Sequence, residues 1–253
     1  MHMPVALRCA DVKTALESVA MLHVSANAVL DALPRAVAVG VTDVDHPVRA
    51  VAGALARSLG TTCGEPCAIH YFHGTRTADP GRFAAKGLLP LNAVLEDIWL
   101  GIGALAPEVT DADLRALRDD LEHGRVAPHT YQLRASDGRQ HGPYGNLVRE
   151  VLFYPDDYGS VDYLAGAEIA VDICEAASGR FGIDLAPRFH AATVPCVVEF
   201  AMPAEDVEGA MASAIWYLDS AVRGERTTNA HWAYDGEGRP VEPENVVSVE
   251  VVG

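Results

Sequence analysis

The sequence predicts an α+β protein with a mixed or antiparallel sheet, preceded by a mostly helical first part. Three observations lead there. Apolar residues recur at helical spacing through residues 10–33 and again after Asp45. From residue 61 onward, β-rich segments and helical segments alternate irregularly. Their connections are too short and too varied for a doubly wound parallel sheet. The composition is that of a globular chain: 253 residues, 49% hydrophobic and 21% charged, which excludes wholesale disorder.

The elements follow in order. Val12, Ala15, Leu16, Val19, Leu22, Ala26, Val29 and Leu30 form one helical stripe over residues 10–33, and Pro34 is expected to end it. Val37, Val39 and Val41 alternate and predict a short strand over 36–41. Asp45 and Pro47 open a second helix, striped by Val48, Val51, Ala52, Leu55 and Leu59 and closed by Gly60. Residues 1–60 are therefore read as a helical extension, and residues 61–253 as the main domain.

The main domain opens with the loop TTCGEPC. IHYFHGTR then reads as a strand ending in a turn, and DPGRFAAKGLLPL as a short helix with a glycine terminus. Residues 92–124 read as helical, with Thr110 and Asp113 as the start of a second segment. Residues 125–146 are polar and rich in Gly and His, and read as a loop or hairpin. Together the stretch 90–145 has the character of an insertion. LVREVLFY is expected to be a strand, and a helix is expected from about 164 to 178, ended by Gly179. VPCVVEFAMP reads as a strand, residues 207–222 as a helix ended by Gly224, and AHWAYD and NVVSVEVV as closing strands.

Charge and hydropathy narrow the function. Lys plus Arg is 19 and Asp plus Glu is 35, a formal charge of −16, with no run of four or more basic residues. Extended nucleic-acid binding and an anionic membrane surface are disfavoured, since both need clustered cations. The longest apolar stretch, Ile98 to Pro107, is far short of a membrane span. The first residues, MHMPVALRCADVK, lack the pattern of a secretory signal. A cytoplasmic protein with five reduced cysteines is expected. No G-x-G-x-x-G after a strand, no P-loop and no G-x-S-x-G elbow is present, which counts against Rossmann dehydrogenases, P-loop ATPases and α/β-hydrolases.

Four segments carry potential chemistry. His70-Tyr71-Phe72-His73-Gly74-Thr75-Arg76 ends a strand in an imidazole, a glycine that permits close ligand approach, and a hydroxyl. Cys63-x3-Cys67-x2-His70-x2-His73 holds zinc-type ligands, but His70 and His73 on one strand point to opposite faces, so reduced thiols are the favoured reading and no metal is assigned. His129, Tyr131, His141 and Tyr144 lie in a glycine-rich loop with Arg134, Arg139 and Arg149 nearby, able to bind phosphate. Glu168, Asp172 and Glu175 share a helix face, where a solvated acidic surface is the commoner explanation.

YFHGTR, the following Phe83 and GLLP together resemble the opening of the ADP-ribosyltransferase-fold superfamily. YGSVDYLAGAEIAVDICEA is similar to its second motif, where a tyrosine on a strand precedes an Ala-rich helix. VPCVVEF and PENVVSVEVV are similar to later strands. The resemblance covers residues 66–253 apart from 90–145. It implies a split-sheet domain that takes NAD as its substrate. In that case His73 would bond the adenosine ribose, Gly74 would meet the nicotinamide amide through its backbone, Thr75 would support the turn, and Tyr163 would stack on the nicotinamide ring. Arg149, and next Arg76, would be the pyrophosphate partners.

Many members carry a catalytic glutamate on the penultimate strand, and here that strand (229–235) has none. Glu225 or His231 would have to serve as the polarising group. The implied activity is an NAD-consuming glycosyltransferase, moving ADP-ribose to an unidentified acceptor with release of nicotinamide. A protein or a small molecule is the favoured acceptor. The alternatives are a catalytically degenerate nucleotide-binding or interaction module, and an RNA 2′-phosphotransferase-like enzyme, which shares the fold and uses Arg and His in place of the glutamate.

Overall fold

A computed structural model describes residues 6–22, 25–42, 47–60 and 66–253. It is a mixed α/β protein with eleven α-helices and six strands among those residues. The strands are β1 (Ala6–Leu7), β2 (Ala68–Thr77), β3 (Tyr144–Asn146), β4 (Val194–Pro203), β5 (Ala233–Asp235) and β6 (Val246–Val251). They form one open sheet in the order β5-β3-β2-β4-β6, with β1 beside β2. β2 and β3 are antiparallel, with Phe72 opposite Asn146. β1 is parallel to β2, with Leu7 opposite Ile69, so the sheet is largely antiparallel with one parallel pair. Among the described residues no single helix is long and apolar enough to cross a membrane.

The chain divides into two compact units. The first comprises Met1–Phe72, Gly145–Val161 and Glu199–Tyr234, the second His73–Tyr144, Asp162–Val198 and Asp235–Gly253. In the first unit α1 (Val12–Leu22), α2 (Ala26–Thr42) and α3 (Pro47–Leu59) pack against α11 (Val207–Arg223). Every residue of α11 from Gly209 to Ser220 is buried. A helix enclosed on all sides must be small or apolar all round, and GAMASAIWYLDS meets that with alanines between its large side chains. The Asp206 carboxylate caps its start by accepting from the Gly209 N–H at 3.2 Å.

On the sheet in this unit, Tyr71, Phe200 and Tyr234 form an aromatic cluster with centroids 5.3–5.7 Å apart. Gly145 makes the cluster possible. A Cβ there would lie 2.6 Å from the Phe200 ring.

The second unit gathers α5 (Leu91–Ala104), α6 (Asp111–Glu122), α7 (Thr130–Ser136), α9 (Glu168–Phe181) and α10 (Ala186–Ala192). Trp99, Leu117, Leu121, Tyr131, Ile169, Ile173 and Leu185 belong to one core. The segment read as an insertion thus supplies half of this core. Trp99 Nε1 donates to the Tyr131 hydroxyl at 2.9 Å, satisfying both buried polar atoms. The short α4 (Arg82–Lys86) ends at Gly87, whose φ is +70°. A Cβ at Gly87 would sit 2.0 Å from the Val241 carbonyl oxygen, which accepts from the Leu88 N–H. Only glycine fits there.

Several expectations are corrected. Pro34 does not end a helix, and residues 36–41 are not a strand: α2 runs through both. The buried positions Val29, Ala32, Leu33 and Ala36 continue one helical stripe across the proline, and packing of that stripe outweighs the hydrogen bond Pro34 removes. The single helix of 10–33 is instead two, α1 and α2. LVREVLFY is not a strand. It forms a 3-10 turn (Arg149–Leu152) leading to α8 (Pro155–Tyr158). Its buried pairs Leu147/Val148 and Val151/Leu152 are four residues apart, a helical spacing.

The helix expected at 164–178 is α9, shifted to 168–181 and closed by Gly182 rather than Gly179. The loop of 125–146 contains α7 and a 3-10 turn before β3. AHWAYD contributes only β5, preceded by a 3-10 turn (Thr228–Ala230). β1 and α10 had no prediction. The loop residue Cys63 lies outside the described residues.

Candidate functional site

β2 supplies the starting point. Alternation along the strand puts Tyr71, His73 and Thr75 on one face and His70, Phe72 and Arg76 on the other. His73 is half-buried, with Nδ1 2.6 Å from the carbonyl oxygen of Tyr144. Burial holds its pKa below the ordinary histidine value, against the opposing pull of that carbonyl bond. The imidazole is therefore neutral at pH 7, with Nδ1–H donating to Tyr144. The other nitrogen, Nε2, is then an acceptor, and no partner among the described residues takes it.

Tyr144 links His73 to a second group of side chains in the same unit. Burial raises the Tyr144 pKa, and the charges of Asp235, Glu168 and Asp137 add to the effect. Tyr163 is pushed up to about 12, first by burial and then by the charges of Glu168 and Tyr144, with Arg134 opposing. Both phenols are thus protonated at physiological pH. Arg134 holds the acidic side of this group, reaching Asp172 through Nη1 and Glu168 through Nη2, each at 2.5 Å. Thr130 Oγ1 adds a bond to Asp172 at 3.2 Å. The acidic helix face noted in the sequence is therefore spent on Arg134 at two of its three positions. Among the described residues no three His, Cys, Asp or Glu side chains gather to hold a metal.

Tyr163 lies in a turn before α9 and not on a strand, which departs from the expected motif. Arg76 is a staple. Its Nε donates to Thr193 Oγ1 (3.1 Å), Nη1 to the Leu164 carbonyl (3.1 Å), and Nη2 to the carbonyls of His190 (3.0 Å) and Thr193 (2.9 Å). It fixes the turn next to Tyr163 to the end of α10, leaving little for a pyrophosphate. Gly74 is buried and Thr75 half-buried.

The remaining predicted residues belong to the first unit. Arg149 lies over the Phe153 ring, 4.7 Å from its centroid. Glu225 follows the end of α11 on the surface, paired with Arg223 at 2.9 Å. Glu225 is thus placed on no strand. His231 is half-buried, and burial lowers its pKa. The structure therefore brings together His73 with Tyr144, and Tyr144 and Tyr163 with Glu168 and Arg134, and it pairs Glu225 with Arg223 at the surface.

A further polar cluster escaped the sequence. In the first unit Glu199 on β4 is 4% exposed. Arg8 holds it bidentately, Nε to Oε1 at 2.6 Å and Nη2 to Oε2 at 2.9 Å. His70 Nδ1 lies 2.7 Å from Oε1. Burial alone would raise the carboxyl pKa, but the bonds from Arg8 and His70 prevail and take it down to about 2. The available signal was the lone glutamate inside VPCVVEFAMP, since a charge in an otherwise apolar strand requires a partner. Nothing in the sequence spacing pointed to Arg8, 191 residues away. No protein-family model, curated protein or solved structure matches this chain.

Proposed function

We propose that the open sheet is a divergent sheet of the ADP-ribosyltransferase type, that the protein binds NAD, and that it transfers ADP-ribose from it. The reading rests on His73: a neutral, half-buried imidazole, anchored through Nδ1 and followed by Gly74 and Thr75, with Nε2 left to accept a hydroxyl proton. A ribose hydroxyl suits that acceptor. Support also comes from Tyr163, a protonated phenol ring in the same unit that suits a nicotinamide ring.

In the reaction the bond between ribose C1′ and the nicotinamide nitrogen breaks, and its electron pair leaves with neutral nicotinamide. The oxocarbenium-like C1′ forms a new bond with the acceptor, whose proton passes to solvent. Any group that polarises the ribose must act as charge develops at C1′. His231, held neutral by burial, remains the candidate for this role. The surface ion pair of Glu225 with Arg223 argues against Glu225.

A second reading, binding without turnover, is favoured by one observation: β5 carries no glutamate. Calorimetry with NAD, with nicotinamide release followed by chromatography on the same sample, separates the two. Heat with release establishes the transferase or a glycohydrolase, and heat without release the binding module. His73→Ala is expected to weaken NAD binding about five- to thirtyfold, a lost buried hydrogen bond of about 1–2 kcal/mol. Unchanged binding in that variant, or no heat at millimolar NAD, overturns the reading.

A further inference from the structure

Within the second unit a half-open cavity of about 830 Å³ lies between α9, α10 and the loop at Val126 and Ala127. That is the size of a site for a drug-sized molecule. Its walls are apolar: Val126, Val171, Ala186 and Phe189, with the buried Cys174 among them. Val171 is 48% exposed in the first turn of α9, beside the buried Ala170 and Asp172. It shares the exposed face of α9 with Glu175 and Ser178, and all three line the cavity.

The cavity also carries a definite charge. Glu175 and Asp184 both line it. Neither has a cationic partner among the described residues: no ion pair involves Glu175, and Asp184 Oδ1 accepts only the Ala186 N–H at 3.2 Å. The charge of Asp184 is felt by the Cys174 thiol, which burial already raises to about 11. Arg180 is the cation of the lining, and it is committed elsewhere, its Nη1 donating to Asp120 at 2.5 Å. His190, the other basic group, bonds the Ala165 carbonyl through Nε2 at 2.8 Å. The walls are thus apolar, one aromatic ring is present, and two carboxylates lack counter-charges.

We propose that this cavity binds a small organic cation with an apolar body, the body against Val171, Ala186 and Phe189 and the cationic group towards Glu175 and Asp184. Apolar contact supplies the area, the Phe189 ring can face an ammonium group, and the carboxylates select the sign of the charge. Neutral isosteres gain the area alone. Anions of the same size meet repulsion. The site stands on the second unit by itself and does not depend on the nucleotide reading.

The test is an NMR titration of the full chain with benzyltrimethylammonium as probe, and with phenylmethanesulfonate as the anion of similar size. The cation is expected to shift the amides of Val171, Cys174 and Phe189, and the anion to leave them unmoved. Glu175→Gln, an exposed change without packing consequences, is expected to weaken the cation about fivefold, as for a partly hydrated ion pair. Ala186→Trp, which fills the cavity, is expected to abolish the shifts. Should that variant fail to fold, Glu175→Gln decides alone. Equal shifts with the anion, shifts centred elsewhere, or undiminished affinity in Glu175→Gln would overturn the proposal.

Discussion

Glu199 shows how far one side chain can depart from its ordinary chemistry when its partners are fixed. Its carboxylate is buried, yet Arg8 and His70 bring the pKa from 4.5 to about 2. A carboxyl whose pKa is lowered on folding contributes stability that is complete above its unfolded pKa. That stability is lost as pH falls from about 4.5 through about 2. The shift corresponds to about 3 kcal/mol at neutral pH. Glu199→Gln is accordingly expected to destabilise the protein by about 2–3 kcal/mol at pH 7 and by much less at pH 2. Arg8 is 39% exposed and can regain water when its partner is removed. Other carboxylates also have lowered pKa values, Asp11 through its bonds from Thr14 and Glu96 through Arg118, so the quantity to measure is the difference between variant and parent in urea denaturation across pH. A constant difference from pH 2 to pH 7 would refute this account of Glu199.

Elements show where local sequence decides structure and where packing overrules it. α6 was legible because its signal is local: Thr110 Oγ1 accepts from the Asp113 N–H at 3.2 Å, three residues on, as the spacing implied. Thr110→Ala should therefore lower stability by about 1 kcal/mol, read as a drop in the thermal midpoint, and Thr110→Ser should restore most of it. No difference between the Ala and Ser variants would mean that the cap contributes nothing. β4 and α11 were also legible, one from its β-branched run and the other from its apolar period and closing glycine.

The region around Pro34 was not legible. The alternation of Val37, Val39 and Val41 is local, whereas the stripe Val29, Ala32, Leu33 and Ala36 acquires meaning only when other helices cover it. β5 is three residues long, and its neighbour in the sheet order is β3, far away in sequence. For the candidate site the division is the same. His73 could be chosen from its Gly-Thr context. The commitments of Arg76 to Leu164, His190 and Thr193 depend on residues about 90–120 positions distant, which no local pattern reveals.

At the scale of the whole molecule, each of the two units is assembled from three separate segments of the chain. The chain passes from one to the other at residues 72/73, 144/145, 161/162, 198/199 and 234/235. Four of these passages fall inside strands, Phe72/His73 in β2, Tyr144/Gly145 in β3, Val198/Glu199 in β4 and Tyr234/Asp235 in β5. A strand cannot lose half its length to unfolding without exposing the backbone groups of the remainder. Separate melting of either unit would also have to close or stretch several chain connections at once. The two units are therefore expected to unfold in one transition despite their separate cores. The three tryptophans give a direct test: Trp99 reports on the second unit, Trp216 and Trp232 on the first. One variant keeps Trp99 and carries Trp216→Phe and Trp232→Phe. The other keeps Trp216 and carries Trp99→Phe and Trp232→Phe. Each variant's fluorescence transition is compared with its own far-UV circular dichroism transition, so that any destabilisation by the substitutions cancels. Coincidence in both variants is the expected result, with a calorimetric enthalpy equal to the van't Hoff value. A fluorescence midpoint that leads or trails the dichroism midpoint in opposite senses in the two variants would show that the units melt independently and that shared strands do not couple them.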